Sequence, residues 1–222
     1  MAQYNIIAEN ENYTIVSDYE AVYRTSEKYQ TEAQLERELI KNLTEQGYEY
    51  LAIHTEKDLV DNLRVQLQRL NDYTFTDSEW ERFFNDVIAN QNEGIEAKTA
   101  KIQEDHIQVL KRDTGETKNI YLIDKRNIHN NYLQVINQYE EEQGNHDARY
   151  DVSILVNGLP LVHIELKRRG VQLKEAFNQI DRYQRDSFWA GCGLYEYVQI
   201  FVISNGTNTK YYSNSTRFNH IK

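Results

Sequence analysis

The chain predicts an α/β domain with a mixed sheet. Three observations carry this. In the last two thirds, segments with strand and helix periods follow one another as strand, hairpin strands, helix and strand. The run Ile200–Ile203 is apolar without alternation, as expected of a strand covered on both faces. Asn157-Gly158 stands between two apolar runs, the strongest short signal for an antiparallel hairpin.

Taken in order, residues 1–30 are polar and tyrosine-rich and receive no assignment beyond an N-terminal extension. Thr31–Gln46 reads as a helix. Thr31 and Gln34 have capping-box spacing, Leu35, Leu39, Ile40 and Leu43 form one stripe, and Gly47 ends it. Tyr48–Ile53 is a short strand. Lys57–Asn71, with Leu59, Leu63, Leu67 and Leu70, is a second helix. Asp77–Asn90, with Trp80, Phe83, Phe84, Val87 and Ile88 behind a Thr76/Asp77 cap, is a third. These two suggest a helical insertion, residues 56–105, within a core of residues 31–55 and 106–222.

His106–Lys111 and Asn119–Ile123 flank Asp113-Thr114-Gly115-Glu116 as a hairpin. Leu133, Val135 and Tyr139 favour a strand over Tyr132–Tyr139. Asp151–Val156 and Leu161–Lys167 are hairpin strands, Lys174–Ser187 a helix, and Val198–Ser204 a strand before Tyr211-Tyr212. Asn10–Asn12, Glu140–Gln143 and Asp181–Asp186 read as solvated loops or helix faces.

Composition narrows the function. With 222 residues, 40% hydrophobic and 12% aromatic, the chain can bury a core. The single cysteine, Cys192, excludes an intramolecular disulfide and points to a reducing cytoplasm. No basic segment followed by a long apolar stretch opens the chain, and its apolar runs are too short to span a bilayer. The expectation is a soluble protein. Six histidines show no zinc spacing, and no phosphate loop or nucleophile motif occurs. A net charge of −10 opposes a nucleic-acid partner, yet Glu165–Arg185 carries six basic and three acidic residues.

The hairpin concentrates the chemistry. A three-residue loop, Asn157–Leu159, would set Asp151 directly opposite Glu165; a two-residue loop would shift the register by one. Parity favours the direct pairing, because Val152, Ile154, Val156, Val162, Ile164 and Leu166 then share an apolar face. The other face carries Asp151, Ser153, Leu155, Leu161, His163, Glu165 and Lys167. Opposed carboxylates about 5 Å apart repel by roughly 3 kcal/mol at an effective dielectric near 20. A bound divalent cation removes that repulsion, and hard oxygen ligands suit Mg²⁺. Lys167 could stabilise developing phosphate charge or orient the attacking water. The bland alternative is that such faces carry Asp, Glu and Lys because they meet water. Against it stand the basic run Lys167-Arg168-Arg169 and the pair Gln179 and Tyr183, on one helix face near Arg182, which suits a nucleic-acid strand. His163 is read first as polar packing, with DNA contact the other reading.

Asp151, thirteen residues, then Glu165-Leu166-Lys167 resembles the PD-(D/E)XK nuclease superfamily. The run RYDVSILVNGLPLVHIELKRRG, with Gln179-x-x-x-Tyr183, NIYLID at 119–124 and Ser204-Asn205-Gly206, resembles more specifically the N-terminal nuclease domain of type I restriction enzyme restriction subunits. The resemblance implies a restriction-endonuclease-like mixed sheet flanked by helices. It implies Mg²⁺ bound by Asp151 and Glu165, with the Leu166 carbonyl as a further ligand and Lys167 as catalytic lysine. Gln179 and Tyr183 would support DNA binding, with Arg168, Arg169 and Arg182 beside them. Glu36-Arg37-Glu38-Leu39, spaced from Gly47 as in related resolvases, makes Glu36 an auxiliary ligand. Tyr150 stands where the superfamily has proline.

The expected activity is cleavage of double-stranded DNA within a complex holding methyltransferase and specificity subunits. ATP is expected only for a motor part, and the chain is read as a piece of a longer motor-containing subunit. A resolvase-like or repair nuclease, and a catalytically silent interaction module or acidic DNA mimic, remain open.

Overall fold

The computed structural model describes residues 5–9, 15–18, 30–141 and 148–214, with side chains from residue 30 onward. In the unassigned extension, β1 (Asn5–Glu9) pairs antiparallel with β2 (Ile15–Asp18). The first expected helix is α1, Glu32–Glu45. Thr31 Oγ1 accepts from the Gln34 amide at 3.2 Å, and Gln34 Oε1 accepts from the Thr31 amide at 2.9 Å. Two otherwise orphaned donors are thereby satisfied. The short strand β3, Glu49–Tyr50, follows.

Helix α2, Glu56–Asn71, buries Leu59, Leu63 and Leu67. The helix expected over Asp77–Asn90 is α-helical only as α3, Asp77–Phe83; Phe84–Ile88 winds as a π-helix. A fourth helix, α4, Ile95–Gln103, was not foreseen. Its inward residues are Lys98 and Ile102, and Lys98 is neutralised by Glu196 at 2.6 Å. A lysine at an inward position hides the apolar period. Strands β4 (Ile107–Lys111) and β5 (Thr117–Tyr121) form the expected hairpin.

Six strands make the main sheet: β3, β6 (Leu133–Glu141), β7 (Ala148–Val156), β8 (Leu159–Leu166), β9 (Ile200–Ser204) and β10 (Thr209–Ser213). Their order is β10-β9-β8-β7-β6-β3. The β3–β6 and β8–β9 pairs are parallel and the others antiparallel, so the sheet is mixed as predicted. Helix α5, Leu173–Asp186, connects β8 towards β9. Glu140 and Glu141 extend β6 instead of forming a loop; Asn10, Glu11, Asn12, Glu142 and Gln143 lie outside the described residues.

Two apolar layers enclose the sheet. Leu35, Leu39, Ile40 and Leu43 of α1 pack on Val135, Val152, Ile164 and Leu166. Residues of α2, α3, α4 and α5 share the larger cluster with Tyr150, Leu155, Leu161 and Phe201. Val156, expected on the first face, packs against this larger cluster. Among the described residues no helix is long and apolar enough to cross a membrane.

The β7–β8 hairpin closes by a two-residue turn, not three. Asn157 and Gly158 have φ of +51° and +84°, the signs of a type I′ turn, and Leu155 and Val156 face Pro160 and Leu159. An irregularity beyond Ile154 then moves the pairing by one, so Ile154, Ser153 and Val152 face Val162, His163 and Ile164. The register expected from parity is therefore reached through a bulge. The turn itself is buried: Asn157 donates to the Leu122 carbonyl at 3.0 Å and accepts from the Tyr132 amide at 2.8 Å.

Candidate active site

Strand β8 lies inside the sheet, between β7 and β9, and ends in Glu165-Leu166. One residue beyond the last β7–β8 backbone pair, Asp151 Oδ2 accepts from the Leu166 amide at 2.9 Å. The Asp151 carboxylate thus sits one peptide from Glu165, as the hairpin reading required. Glu165 is fully buried, and its Oε1 accepts from Lys167 Nζ at 2.8 Å. Its Oε2 is buried with no hydrogen-bond partner.

The water-facing alternative fails on burial. Ser153, His163 and Glu165 are at most 1% exposed. Above them lie α5 and a set of rings, Tyr150, Tyr183, Phe188 and Tyr195. His163 therefore does not reach DNA; it is enclosed. Tyr150, the departure from the superfamily's proline, donates from its hydroxyl to Ser187 Oγ at 2.8 Å within this set.

The alternation of both neighbouring strands breaks at one level. Val135 and Val152 face α1, whereas Tyr139 and Tyr150, at the same parity, face the larger core. Between them Gln138 has φ of +53°. This reversal sets Asp151 at the seam between the two layers. A cavity of about 450 Å³ opens there, lined by Glu32, Arg149, Asp151, Lys167, Gln179, Arg182, Tyr183 and Asp186, among others.

Burial, then the neighbouring Glu165 charge, push the Asp151 carboxyl up to about 7; the Leu166 amide and Lys167 oppose them. Burial, then Glu165, push the Tyr183 phenol up to about 12. That hydroxyl donates to the Arg149 carbonyl at 2.8 Å and accepts from Gln179 Nε2 at 2.5 Å, so the expected pair forms one wall. Arg182 lies over the Tyr183 ring at 5.7 Å and lines the same cavity.

The remaining residues are placed elsewhere. Arg169 donates to Thr207 Oγ1 at 2.8 Å and lines a separate groove with Lys174 and Lys210. Arg168 is exposed, and its amide donates to Glu32 Oε1 at 3.1 Å. Neither lines the Asp151 cavity. Glu36 accepts from the Asn137 and Gln138 side-chain amides at 2.5 Å each, and its charge acts on Asp151. Among the described residues no three His, Cys, Asp or Glu side chains gather closely enough to hold a metal. Arg149 and Glu32 were missed as lining residues; Arg149 lies two residues before Asp151, a spacing that could have flagged it. Burial pushes the free Cys192 thiol up to about 12, in keeping with an inert side chain.

The mixed sheet, its flanking helices and the acidic hairpin define a restriction-endonuclease-like α/β domain. Residues 29–220 match the family model described as type I restriction enzyme R protein N terminus, and the chain belongs to that family. It is 48% identical over 212 residues to the type I restriction enzyme EcoprrI endonuclease subunit of Escherichia coli, covering 95% of this chain and 67% of that protein. It is 41% identical over 192 residues to the type I restriction enzyme SsaAORF53P endonuclease subunit of Staphylococcus saprophyticus. A third relative, the SauCOLORF180P endonuclease subunit of Staphylococcus aureus, is 40% identical over 194 residues. These last two matches cover 84% of this chain and 20% of each relative.

Proposed function

We propose that this chain is the Mg²⁺-dependent cutting domain of a type I restriction endonuclease, hydrolysing phosphodiester bonds of double-stranded DNA. The observation that carries the reading is the carboxylate pair at the end of the hairpin. Asp151 is pushed up to about 7 beside a Glu165 whose Oε2 is buried and unpaired. Two carboxylates sharing one ammonium group are short of positive charge, and hard oxygen donors fit a divalent cation.

Asp151 and Glu165 would hold the ion, with the Leu166 carbonyl as a further donor. When bound, the cation supplies Lewis-acid polarisation of the phosphodiester and lowers the pKa of a bound water. Lys167 keeps an ammonium group at the same cavity, where it offsets charge developing on phosphate oxygens. Tyr183, Gln179 and Arg182 line the approach and orient the strand. Sequence recognition and ATP-driven movement fall, on this reading, to methyltransferase, specificity and motor parts of the assembly.

Calorimetric titration with Mn²⁺ tests the site directly. Wild type should bind and Asp151→Ala should not, with plasmid cleavage lost in Asp151→Ala and Lys167→Ala. Equal Mn²⁺ affinity in wild type and Asp151→Ala would overturn the reading.

A further inference from the structure

His163, two residues before Glu165 on β8, is fully buried. Tyr150 and Phe188 meet its ring edge to face, with centroids at 5.5 and 5.6 Å, and Tyr183 and Tyr195 stand at 6.1 and 6.4 Å. The ring has lost its water to four aromatic walls. Neither of its nitrogens has a hydrogen-bond partner among the described residues. A core site that only needed filling would be better served by an apolar side chain.

Among the described residues the polar edge has one ionic neighbour. Nε2 is 3.6 Å from Glu165 Oε2, the oxygen that is itself buried and unpaired. Lys167 already holds the other oxygen at 2.8 Å. The His163–Glu165 separation exceeds a hydrogen bond by a few tenths of an ångström, a gap that a small carboxylate rotation closes.

We infer that His163 is a positioning residue for Glu165. The aromatic walls fix the ring, and an Nε2–H donor on it fixes Oε2, so that the carboxylate keeps its other oxygen on Lys167, which lines the Asp151 cavity. Outer hydrogen bonds of this kind orient ligating carboxylates and raise metal affinity. The inference rests on the metal site proposed above and adds to it a residue that does not itself touch metal or substrate.

The test compares His163→Leu and His163→Gln with Asp151→Ala in the 222-residue chain, reading Mn²⁺ affinity by calorimetry and thermal unfolding separately. His163→Leu should keep or raise the melting temperature yet weaken Mn²⁺ binding about 10–100-fold. His163→Gln, whose amide can donate from the same position, should recover most of that loss. Should the leucine variant not fold, His163→Met, which also lacks a donor, carries the same expectation. Wild-type Mn²⁺ affinity in a folded donor-less variant, with binding abolished in Asp151→Ala, overturns the positioning role and leaves the metal site standing. Equal losses in the glutamine and donor-less variants overturn it too. Wild-type affinity in Asp151→Ala removes the metal site and this inference together.

Discussion

Asp151 keeps its proton to about pH 7, whereas an unfolded aspartate loses it near pH 4. Between those values the folded chain holds a proton that the unfolded chain has released. The contribution of Asp151 to stability is therefore full below about pH 4, falls as pH rises through the window, and is lost above 7. Allowing for residual solvent access, the loss is roughly 2–4 kcal/mol. Asp151→Asn removes the titration. In metal-free urea unfolding it should exceed wild type by about that amount at pH 8 and by little at pH 4.5. Parallel pH profiles for the two proteins would sink this account. At the same scale, hairpin spacing brought Asp151 and Glu165 together, while the adjoining basic run, the Gln179 and Tyr183 pair and the family resemblance singled them out with Lys167. It did not show that His163 and Glu165 are buried, because burial depends on α5 and on rings far along the chain.

The hairpin turn is where elements constrain one another. Gly158 has φ of +84°, and a Cβ there would lie 2.6 Å from Leu63 Cα on α2. Both backbone conformation and space demand glycine, because the obstacle is backbone and cannot rotate away. Gly158→Ala should cost about 2–4 kcal/mol of stability, visible as a lower urea midpoint with an unchanged slope. A midpoint like wild type would mean that α2 and the turn can separate. The Asn-Gly dipeptide was legible as a hairpin, since its turn preference is local. The bulge beyond it was not, because contacts with Tyr132, Leu122 and α2 decide how the turn is seated. Helix α4 was illegible for a related reason: Lys98 becomes an inward residue only because Glu196 waits for it.

Across the whole molecule, charge is the problem to be solved. The chain carries −10, and the cavity's Arg149, Lys167 and Arg182 are matched by Glu32, Asp151 and Asp186. A bare site of this kind does not draw in phosphate. Binding of a short DNA duplex, followed by fluorescence anisotropy at low salt, should be weak in EDTA. Ca²⁺ should strengthen it about tenfold or more, and Asp151→Asn should strengthen it in EDTA. The same affinity with EDTA and Ca²⁺ would remove the metal's role in holding DNA.

Local pattern alone determined that the chain is α/β, that Thr31 caps α1, and that Asp151 and Glu165 share one hairpin. Such features need only periods, caps and turn residues read over a few positions. Tertiary structure decided what covers that hairpin. The reversed alternation at Gln138, the seam between α1 and α5, and the aromatic enclosure of His163 all arise from segments distant in sequence. Packing of that kind sets dielectric and proximity, so it made an ordinary-looking polar face into a buried, charge-deficient site.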